Sequence, residues 1–565
     1  MKTVSETAAG ARVAGPGAGF DAGPVIEPVQ ESVADIALLL EGTYPYVRGG
    51  VSSWVHQIIT ALPEIRFAVV FIGSEPSMYG PAQYQFPGNV THVETHYLLR
   101  QDRHIKPHAR KGNRRAFAQM DSLHTHLREG GEIPSNEMME AFTRLGSPDG
   151  ISQEDFLYSK ASWEYITQQY RQRCTEPSFV DYFWAVRAMH APLFVLANIA
   201  AGLPSVRAVH AISTGYAGLL GAMIRLRRAI PFVLTEHGIY TKERKIDLAQ
   251  ATWLHDHNDD VCNTLHDEMG YIRGLWIRFY EQIGRMAYGQ ASPIVSLYEG
   301  NRQRQIADGA AAERTRVITN GINLERYRTA LERRPETVPP ILGLVGRVVP
   351  IKDIKTFIRA LRILVNRRPD IQGWIVGPED EDPLYVTECK ELATSLGLNE
   401  NVKFLGFQNV LDILPQLGLM VLTSISEALP LVVLEAFASG LPCLATDVGS
   451  CRELIEGRGG EDSALGSAGS VVSIADPEVT AEAALALLND ATRWHDAQRA
   501  GLARVARYYD DKLMFSSYRS LYMEALGSGS SGPSGSSGSS EFPRSPGSSS
   551  RGCDAAAHRV LGAGA

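Results

Sequence analysis

The sequence predicts an α/β protein in which two doubly wound, Rossmann-like domains face each other across a cleft. Short apolar runs that suit buried strands alternate with amphipathic helical runs, as in βαβ units with a parallel sheet. The alternation occurs in two blocks, residues 33–325 and 341–510, so we expect two domains. Such domains bind ligands beyond the carboxyl ends of their strands, and we therefore look for a site in the loops after strands.

The N-terminal block opens with a strand, "ADIALLL", and a helix, "VSSWVHQIITAL". The helix is predicted because its apolar residues recur at i, i+3, i+4, i+7, i+8 and i+11. "RFAVVFIG" predicts the next strand. Residues from about 80 to 185 depart from this alternation and predict a mostly helical insertion. The alternation then resumes with "RAVHAI", "PFVLTEHG", "SPIVSL" and "RVITNG".

The C-terminal block is more regular. "ILGLVG" predicts a buried strand, and the run that follows predicts a helix with Ile354, Phe357, Ile358 and Leu361 on one face. Further strands are predicted at "IQGWIV", "NVKFLG", "GLMVLTS", "PCLAT" and "GSVVSI", with helical runs between them. This block therefore predicts a parallel, doubly wound sheet.

Connecting and terminal segments have a different composition. Residues 324–340 end in Pro-Pro and are interpreted as the hinge between the domains, and residues 511–526 predict a helix that packs back across the joint. Residues 1–32 are rich in Ala, Gly and Pro, and residues 527–565 begin with a Gly/Ser/Pro tract. Both tails are expected to be disordered because they have little apolar surface to bury.

Composition limits the class of protein. A net charge of −8 argues against a dedicated nucleic-acid binder. Six cysteines without a C-x-x-C pair indicate reduced thiols rather than a zinc ribbon or a redox motif. The N-terminus lacks a signal-peptide pattern, and no run of eighteen apolar residues is found. We therefore expect a soluble, cytoplasmic protein.

The stretch "SEALPLVVLEAF" is the main candidate for a ligand-binding segment in the C-terminal block. Pro430 suits a first helical turn, and the free amides around Leu429 and Leu431 would then hold an anion. Glu435 lies inside an apolar helix, where a carboxylate needs a partner. A vicinal diol such as a ribose is one candidate. A structural ion pair with Arg347 or Lys352 is the other.

The loop "GRVVPIK" follows the first strand of the same block. Arg347 and Lys352 leave the strand end together, and a planar guanidinium with a point charge suits a diphosphate. The alternative is a solvated surface loop. A further acidic loop, "GPEDEDP", places Asp380 and Asp382 in a D-x-D pattern that can hold a divalent cation. A solvated acidic loop is favoured there.

Candidates in the N-terminal block are glycines and histidines. Gly49 and Gly50 stand between the first strand and its helix, where glycine allows close approach of a ligand, although a tight turn explains them equally. His210 and His237 are predicted at the ends of strands near the cleft. A single histidine there is more often structural, but two at adjacent strand ends favour a function. Asn320 with Gly321 predicts a tight turn. The basic segment 100–115 is either a solvated helical face or a docking site for an acidic partner or anionic headgroups.

Together these residues resemble the retaining glycosyltransferases of family four, which have the GT-B fold. The resemblance rests on G-R-x4-K at Gly346, Arg347 and Lys352, and on E-x7-E at Glu427 and Glu435. "LLLEGTYPYVRGGVSSWVHQII", "STGYAGLLGA" and "LTEHGIYTKER" look like the glycosyltransferase subunit of Pel-type bacterial exopolysaccharide synthesis. The similarity spans roughly residues 34–526.

The resemblance implies residue roles. Glu435 would hold the ribose of a nucleotide-sugar, Arg347 and Lys352 the diphosphate. The implied donor-binding set is Gly49, Gly50, Arg347, Lys352, Glu427, Ala428, Leu429, Leu431 and Glu435, and the implied catalytic set is His237, Glu427, Arg347 and Lys352. No metal or other cofactor is expected.

The resemblance also implies a UDP-sugar donor, a polysaccharide acceptor and transfer with retention of the anomeric configuration. It implies a membrane-embedded synthase complex as partner, with the enzyme peripheral at the inner membrane through it. Two other functions remain open: a non-catalytic scaffold that binds nucleotide-sugar within such a complex, and a sugar-nucleotide epimerase. Product analysis without an acceptor would separate the three.

Overall fold

The computed structural model describes residues 32–99, 109–131, 134–147, 149–174, 178–251 and 270–528. The two tails predicted to be disordered, and residues 100–108 of the basic segment, lie almost entirely outside these ranges. The described residues form one compact unit. They contain the two parallel sheets that the sequence predicts.

Within the described ranges, the N-terminal domain contains a seven-stranded sheet. Its strands are β1 (Ala34–Glu41), β2 (Phe67–Gly73), β3 (Val90–Tyr97), β4 (Val206–Ala211), β5 (Phe232–Glu236), β6 (Ile294–Ser296) and β7 (Thr315–Val317). Their order is β3-β2-β1-β4-β5-β6-β7, and all pairings are parallel. The order reverses between β1 and β4, which is the position where doubly wound sheets open a crevice for ligands.

Helices cover this sheet. They are α1 (Gly50–Ala61), α2 (Arg114–Gln119), α3 (Asp121–Glu129), α4 (Ser135–Arg144), α5 (Gln153–Tyr158), α6 (Lys160–Arg173), α7 (Phe179–Gly202), α8 (Tyr216–Arg228), α9 (Tyr240–Gln250), α10 (Tyr271–Gln290) and α11 (Glu299–Ala307). In α1, the periodic residues Trp54, Val55, Ile58 and Ile59 are buried, as the sequence predicts.

The helical insertion differs in extent from the predicted range of 80–185. The edge strand β3 lies within that range, and the helices run from α2 to the end of α7 at Gly202. β3 has the sequence VTHVETHY and is only partly buried, because it has a neighbour on one side only. Its exposed polar residues hid it from a search for apolar runs.

α7 is a long apolar helix with 24 residues. By length and composition it is the one described helix that meets the requirements for crossing a membrane, and 56% of its apolar window is buried inside the protein. Leu193, Leu196 and Ile199 belong to the core of the N-terminal domain. The expectation from sequence that every apolar run is too short therefore understated the length of this helix.

The C-terminal domain contains, among the described residues, a six-stranded parallel sheet. Its strands are β8 (Ile341–Val345), β9 (Gln372–Val376), β10 (Val402–Gly406), β11 (Leu419–Leu422), β12 (Cys443–Thr446) and β13 (Gly469–Val472). Their order is β10-β9-β8-β11-β12-β13. The helices are α12 (Leu324–Glu332), α13 (Ile354–Arg367), α14 (Pro383–Ser395), α15 (Val410–Ile413), α16 (Leu431–Ala438), α17 (Cys451–Glu456), α18 (Gly460–Ser463), α19 (Pro477–Leu488) and α20 (Ala491–Tyr508).

The segment 324–340, predicted as a hinge, begins as the helix α12 and packs on the C-terminal domain. Tyr327 is buried in the core of that domain. Arg334 donates hydrogen bonds to the carbonyls of Leu414 and Leu417, at 3.1 and 2.8 Å. The N-terminal domain therefore ends before α12, and the predicted boundary at residue 325 falls inside this helix.

The last helix, α21 (Asp511–Ser528), returns to the N-terminal domain, as the sequence predicts. The chain crosses where the amide of Ile322 donates to the carbonyl of Tyr509, at 2.9 Å, and the amide of Asp511 donates to the carbonyl of Ile322, at 3.0 Å. Tyr518 and Tyr522 are then buried in the same core as β1 and α1. The polypeptide therefore crosses between the domains twice, near Ile322 and near Asp511.

Candidate active site in the interdomain cleft

A cleft of about 990 Å³ lies between the carboxyl ends of the two sheets. The N-terminal domain contributes most of the wall, and Arg347, Glu427 and Ala428 line it from the C-terminal domain. Lys242 of α9 spans the two domains, with its ammonium 3.4 Å from the hydroxyl of Ser426. The cleft is therefore lined by residues from the ends of strands in both sheets, as predicted.

On the C-terminal wall, the two predicted cations contact different carboxylates. Lys352 Nζ lies 2.5 Å from Glu427 Oε1, and both side chains are mostly buried. Arg347 is exposed and binds both carboxylate oxygens of Glu381, at 2.7 and 2.6 Å. The structure thus brings Lys352 and Glu427 together. Glu427 and Arg347 line the cleft, whereas Lys352 is not among the described residues that do so. Arg347 is held by Glu381, a carboxylate that was not predicted as its partner.

The loop that carries Glu427 is fixed by a close backbone contact. Gly449 has φ +57°, and a Cβ there would lie 2.4 Å from the carbonyl oxygen of Glu427 and 2.5 Å from that of Ala428. The amide of Ser450 donates to the carbonyl of Ala428, at 2.8 Å. Only glycine fits at 449, since a side chain would push this loop away from the β12 strand end.

Pro430 is the N-cap of α16 rather than part of its first turn. Leu429 is buried, and Leu431 begins the helix. Neither is among the described residues that line the cleft. The amides at this helix start still lie next to Ala428, which does line it.

Glu435 lies in α16 and forms neither of the ion pairs considered from the sequence. Its Oε1 accepts a hydrogen bond of 2.8 Å from the hydroxyl of Tyr327 in α12. Burial raises the pKa of this carboxyl group, while the hydrogen bond from Tyr327 and the charge of Arg326 act in the opposite direction. No other hydrogen bond to this carboxylate occurs among the described residues, so part of its acceptor capacity is unused. Glu435 is not among the described residues that line the cleft.

His237 follows β5 and lines the cleft, as predicted. Its ring lies 4.7 Å from the ring of Trp54 in an edge-on arrangement. Nε2 is buried, with no hydrogen-bond partner among the described residues. Burial lowers the pKa of His237 to about 4, so the ring is neutral at pH 7. A buried, unpartnered ring nitrogen at a cleft is suited to a polar ligand atom.

His210 is not at the cleft, which corrects the prediction from sequence. It lies inside β4 and is fully buried. Its Nδ1 and Nε2 lie 2.7 Å from the hydroxyl of Tyr522 and 2.9 Å from that of Thr235. Burial lowers the pKa of His210 to about 3. His210 therefore joins the sheet to α21, which is a structural role.

Gly49 and Gly50 are exposed at the start of α1, where Gly49 is the N-cap. A Cβ at either position would have no neighbour within 4 Å. Neither is among the described residues lining the cleft, which this loop reaches through Gly42, Thr43 and Val51. Contact of the two glycines with a donor remains a prediction.

Two carboxylates on the N-terminal side, the half-buried Glu41 and the buried Glu236, were missed from the sequence. Glu41 ends β1 and lines the cleft. Glu236 ends β5 and is fully buried, where it accepts hydrogen bonds from Thr214, Tyr288 and Gln305 at 2.7, 2.5 and 3.0 Å. Burial raises the pKa of both groups. The available signal was a glutamate placed directly after an apolar strand in "ADIALLLE" and "FVLTE".

The D-x-D loop has a structural use. Asp382 caps α14, with Oδ1 accepting from the amide of Tyr385 at 3.0 Å, and Asp380 is exposed. In the part of the chain that the structure describes, no group of three or more His, Cys, Asp or Glu side chains is arranged to hold a metal.

In the basic segment, Arg110 forms ion pairs with Glu154 and Asp155.

Two protein families match the chain. Residues 34–313 match the family described as "Domain of unknown function (DUF3492)". Residues 339–490 match "Glycosyl transferases group 1". The boundary between the two matches coincides with α12.

Curated relatives match part of the chain. The lipopolysaccharide core biosynthesis mannosyltransferase LpsB of Rhizobium meliloti (strain 1021) is 29% identical over 202 residues, which are 34% of this chain and 56% of the relative. A D-inositol 3-phosphate glycosyltransferase of Nocardia farcinica is 33% identical over 225 residues, which are 38% of this chain and 48% of the relative. The chain thus spans about half the length of these relatives.

Solved structures share the fold. Anabaena Alr3699/HepE in complex with UDP has a TM-score of 0.53 and 15% identity, covering 87% of this chain and 100% of that chain. Sucrose-phosphate synthase from Thermosynechococcus elongatus has a TM-score of 0.50 and 16% identity, again covering 87% of this chain and 100% of that chain. The protein thus has the GT-B fold, and its residues 339–490 match the group 1 glycosyltransferase family.

Proposed function

We propose that the protein is a retaining glycosyltransferase that moves a sugar from a UDP-sugar to a growing exopolysaccharide chain of the Pel type. The observation that carries the proposal is the cleft itself. Arg347 and Glu427, from the segment that matches the group 1 glycosyltransferases, line this cleft together with His237, whose Nε2 has no hydrogen-bond partner among the described residues. The HepE structure with bound UDP, which shares this fold, supports the choice of nucleotide.

The donor diphosphate binds at Arg347 and Lys352. As the sugar–phosphate bond breaks, negative charge grows on the leaving UDP, and cations fixed nearby stabilise that charge. The Lys352 ammonium is held 2.5 Å from Glu427 in the free protein. This pair keeps the ammonium oriented and mostly shielded from water, while Arg347 at the cleft edge exchanges Glu381 for phosphate.

The ribose binds at Glu435, and the transferred sugar lies between Glu427 and His237. A sugar that loses its leaving group develops positive charge at the anomeric carbon. A neutral imidazole can bind a sugar hydroxyl there without repelling that charge. The lowered pKa of His237, about 4, keeps the ring in this neutral state at physiological pH.

The proposal includes catalysis without a metal ion, because Arg347, Lys352 and the amides at the start of α16 supply the positive charge that a diphosphate requires. It also includes a cytoplasmic location and a membrane-embedded synthase complex as the partner that receives the polymer. The resemblance to the Pel-type family supports these two points.

Product analysis tests the proposal. The purified protein is incubated with UDP-glucose, UDP-galactose and their N-acetylamino forms, with and without EDTA, and released UDP and new sugars are separated by chromatography. With water as the acceptor, we expect UDP release with at least one donor that survives EDTA, and initial release of the α-anomer of the free sugar from an α-linked donor, followed by NMR before the anomers equilibrate. An epimerase would instead give a new UDP-sugar without UDP release, and a scaffold would bind UDP without turnover.

Two substitutions test the mechanism. Arg347→Ala and Lys352→Ala are each expected to lower turnover about 10²–10³-fold, the usual cost of removing a preorganised group that stabilises transition-state charge. Lys355→Ala is the matched control, because Lys355 of α13 forms a similar ion pair with Glu388, and Glu388 does not line the cleft, whereas Glu427, the partner of Lys352, does. Near-normal turnover in both site variants would remove the diphosphate role.

A further inference from the structure

Two helices of the helical insertion present apolar side chains to solvent. Trp163 of α6 and Trp184 of α7 are 52% and 60% exposed, and Val180, one turn before Trp184, is 60% exposed. The other tryptophans that the structure describes are buried or half-buried. Contiguous apolar surface of this kind marks a contact with a partner or a membrane more often than single exposed residues do.

Phe183 joins the two indoles into one surface. Its ring centre lies 5.5 Å from that of Trp163 and 5.5 Å from that of Trp184. The ring of Phe179 lies 5.4 Å from Trp163 on the same side. We call Trp163, Phe179, Val180, Phe183 and Trp184 the aromatic face. Because Phe183 contacts both indoles, the rings form a continuous surface, whereas a docked peptide requires a groove or an open strand edge.

Structural roles account for only part of this arrangement. The guanidinium carbon of Arg187 lies 5.1 Å from the ring centre of Phe183 and 5.6 Å from that of Trp184, which are cation–π contacts. These contacts order the rings. They do not require the indoles to be in water, and more than half of each of these two side chains is exposed.

Basic residues surround the aromatic face. α2 with the preceding Lys111, α6 and the first three turns of α7 carry seven Lys or Arg and two Asp or Glu, although the whole chain has a net charge of −8. Glu154 and Asp155 of the adjacent α5 are bound by Arg110. This local excess of positive charge favours an anionic partner. We call the exposed cations the basic rim: Lys111, Arg114, Arg115, Lys160, Arg171 and Arg173.

Glu164 shows that the basic rim borders the aromatic face, because it follows Trp163 directly in α6. Nη2 of Arg114 lies 2.5 Å from this carboxylate, and Nζ of Lys160 lies 3.8 Å from it. Both cationic side chains are 74% exposed. One carboxylate thus faces two exposed cations, and positive charge remains beside the indoles. The described part of the basic segment, residues 109–115, therefore belongs to this surface.

We propose that the aromatic face and the basic rim dock the protein on the surface of an anionic phospholipid bilayer. Indole rings are preferred at the level of the headgroups, and Lys and Arg attract the lipid phosphates. Helices that combine these residues lie in the interface without spanning the bilayer. This contact with lipid is additional to the protein partner proposed above and does not depend on the reaction.

The course of α7 indicates what docking does. Ala188 and Pro192 of this helix line the interdomain cleft. Ala188 is one turn beyond Trp184, about 6 Å along the helix axis. A bilayer in contact with the aromatic face therefore lies next to the cleft, so that a product leaving the cleft is released close to the membrane.

Vesicle sedimentation of the full chain tests the proposal. The probes are vesicles of phosphatidylcholine alone and vesicles of phosphatidylcholine and phosphatidylglycerol in equal parts. We expect the mixed vesicles to bind the protein, the neutral vesicles to bind it much more weakly, and added salt to release it, because exposed charges are screened. Trp163→Ser and Trp184→Ser should each lower partitioning about tenfold. Arg114→Gln and Lys160→Gln should each lower it about fivefold.

Leu384→Ser is the matched control, because Leu384 is a 71% exposed apolar residue of α14 in the C-terminal domain. Calorimetric UDP binding is measured for every variant as a check of folding. Should a serine variant fail to fold, the two glutamine variants test the same surface. The proposal is overturned if mixed vesicles do not bind the protein, if neutral vesicles bind it equally, or if the variants of this surface partition like Leu384→Ser. An acidic protein as the partner would give the first result. Absence of UDP binding to the unmodified protein, with vesicle binding intact, would instead reject the donor proposal.

Discussion

Replacing Glu435 by alanine should weaken UDP binding through the ribose alone. In the free protein the carboxylate has one hydrogen bond among the described residues, from Tyr327 at 2.8 Å. It lies in a helix whose neighbouring residues Leu434 and Ala436 are fully buried. Burial raises the pKa of Glu435, so folding is opposed by its ionised form, and removing the carboxyl group should not unfold the domain.

The size of the effect follows from the hydrogen bonds that the carboxylate can still accept. A hydrogen bond to a charged group contributes about 1.5–3 kcal/mol net. The two ribose hydroxyls share one carboxylate that also accepts from Tyr327, so we assign them together the value of one such bond. This predicts a rise in the Kd of UDP of about 10- to 150-fold, since each 1.4 kcal/mol is a factor of ten.

Calorimetry with two ligands isolates the ribose contact. UDP and 2′,3′-dideoxy-UDP are titrated into the unmodified protein, Glu435→Ala and the surface control Glu388→Ala. The unmodified protein and the control should prefer UDP by the predicted factor, and Glu435→Ala should bind both ligands equally. If Glu435→Ala keeps the full preference for UDP, the carboxylate does not bind the diol and the reasoning is refuted.

Other predictions concern stability. Arg504 is fully buried and donates hydrogen bonds to Asp462 and to four backbone carbonyls. Asp462→Ala therefore leaves a buried charge unpaired and should lower the free energy of unfolding, measured in urea, by about 3–5 kcal/mol. A decrease of less than about 1 kcal/mol would contradict this. Gly321→Ala places a Cβ 2.6 Å from the backbone of Asp511, where the chain crosses between the domains. It should lower the free energy of unfolding by about 1–3 kcal/mol. An unchanged Tm would contradict this prediction and show that the backbone can move to make room for the methyl group. Burial lowers the pKa of His210 to about 3. The contribution of His210 to the free energy of unfolding is therefore fully present above about pH 6.5, where the unfolded histidine is also neutral. It falls by about 1.4 kcal/mol per pH unit as the pH decreases towards 3. The slope of unfolding free energy against pH should be shallower in His210→Gln, and equal slopes would contradict the assignment.

The sequence was sufficient for elements whose signal is local. α13 was predicted from its apolar periodicity, and Ile354, Phe357, Ile358 and Leu361 are all buried in it. The parallel sheets followed from alternating strands and helices, because that order leaves few other topologies. His237 was placed at the cleft because it directly follows a clear apolar strand.

Contacts between distant residues were not predictable in the same way. Lys352 and Glu427 are separated by 75 positions, and the sequence does not show that Lys352 contacts this carboxylate rather than Glu435. His210 was misplaced because its surroundings depend on Tyr522, which is 312 residues further along the chain. β3 was missed because an edge strand can carry polar side chains, here the partly buried His92, Glu94 and His96, which form a hydrogen-bonded row.

The return of α21 to the N-terminal domain affects how the chain matures during synthesis. Tyr518 and Tyr522 complete a core whose first strand, β1, is translated almost five hundred residues earlier. The ribosome therefore releases the whole C-terminal domain before the N-terminal core can close, and until then the face of the sheet around His210 is uncovered. Domains usually fold in the order of their synthesis. Here the second domain can reach its native state first, and truncation before residue 511 would leave the first one incomplete.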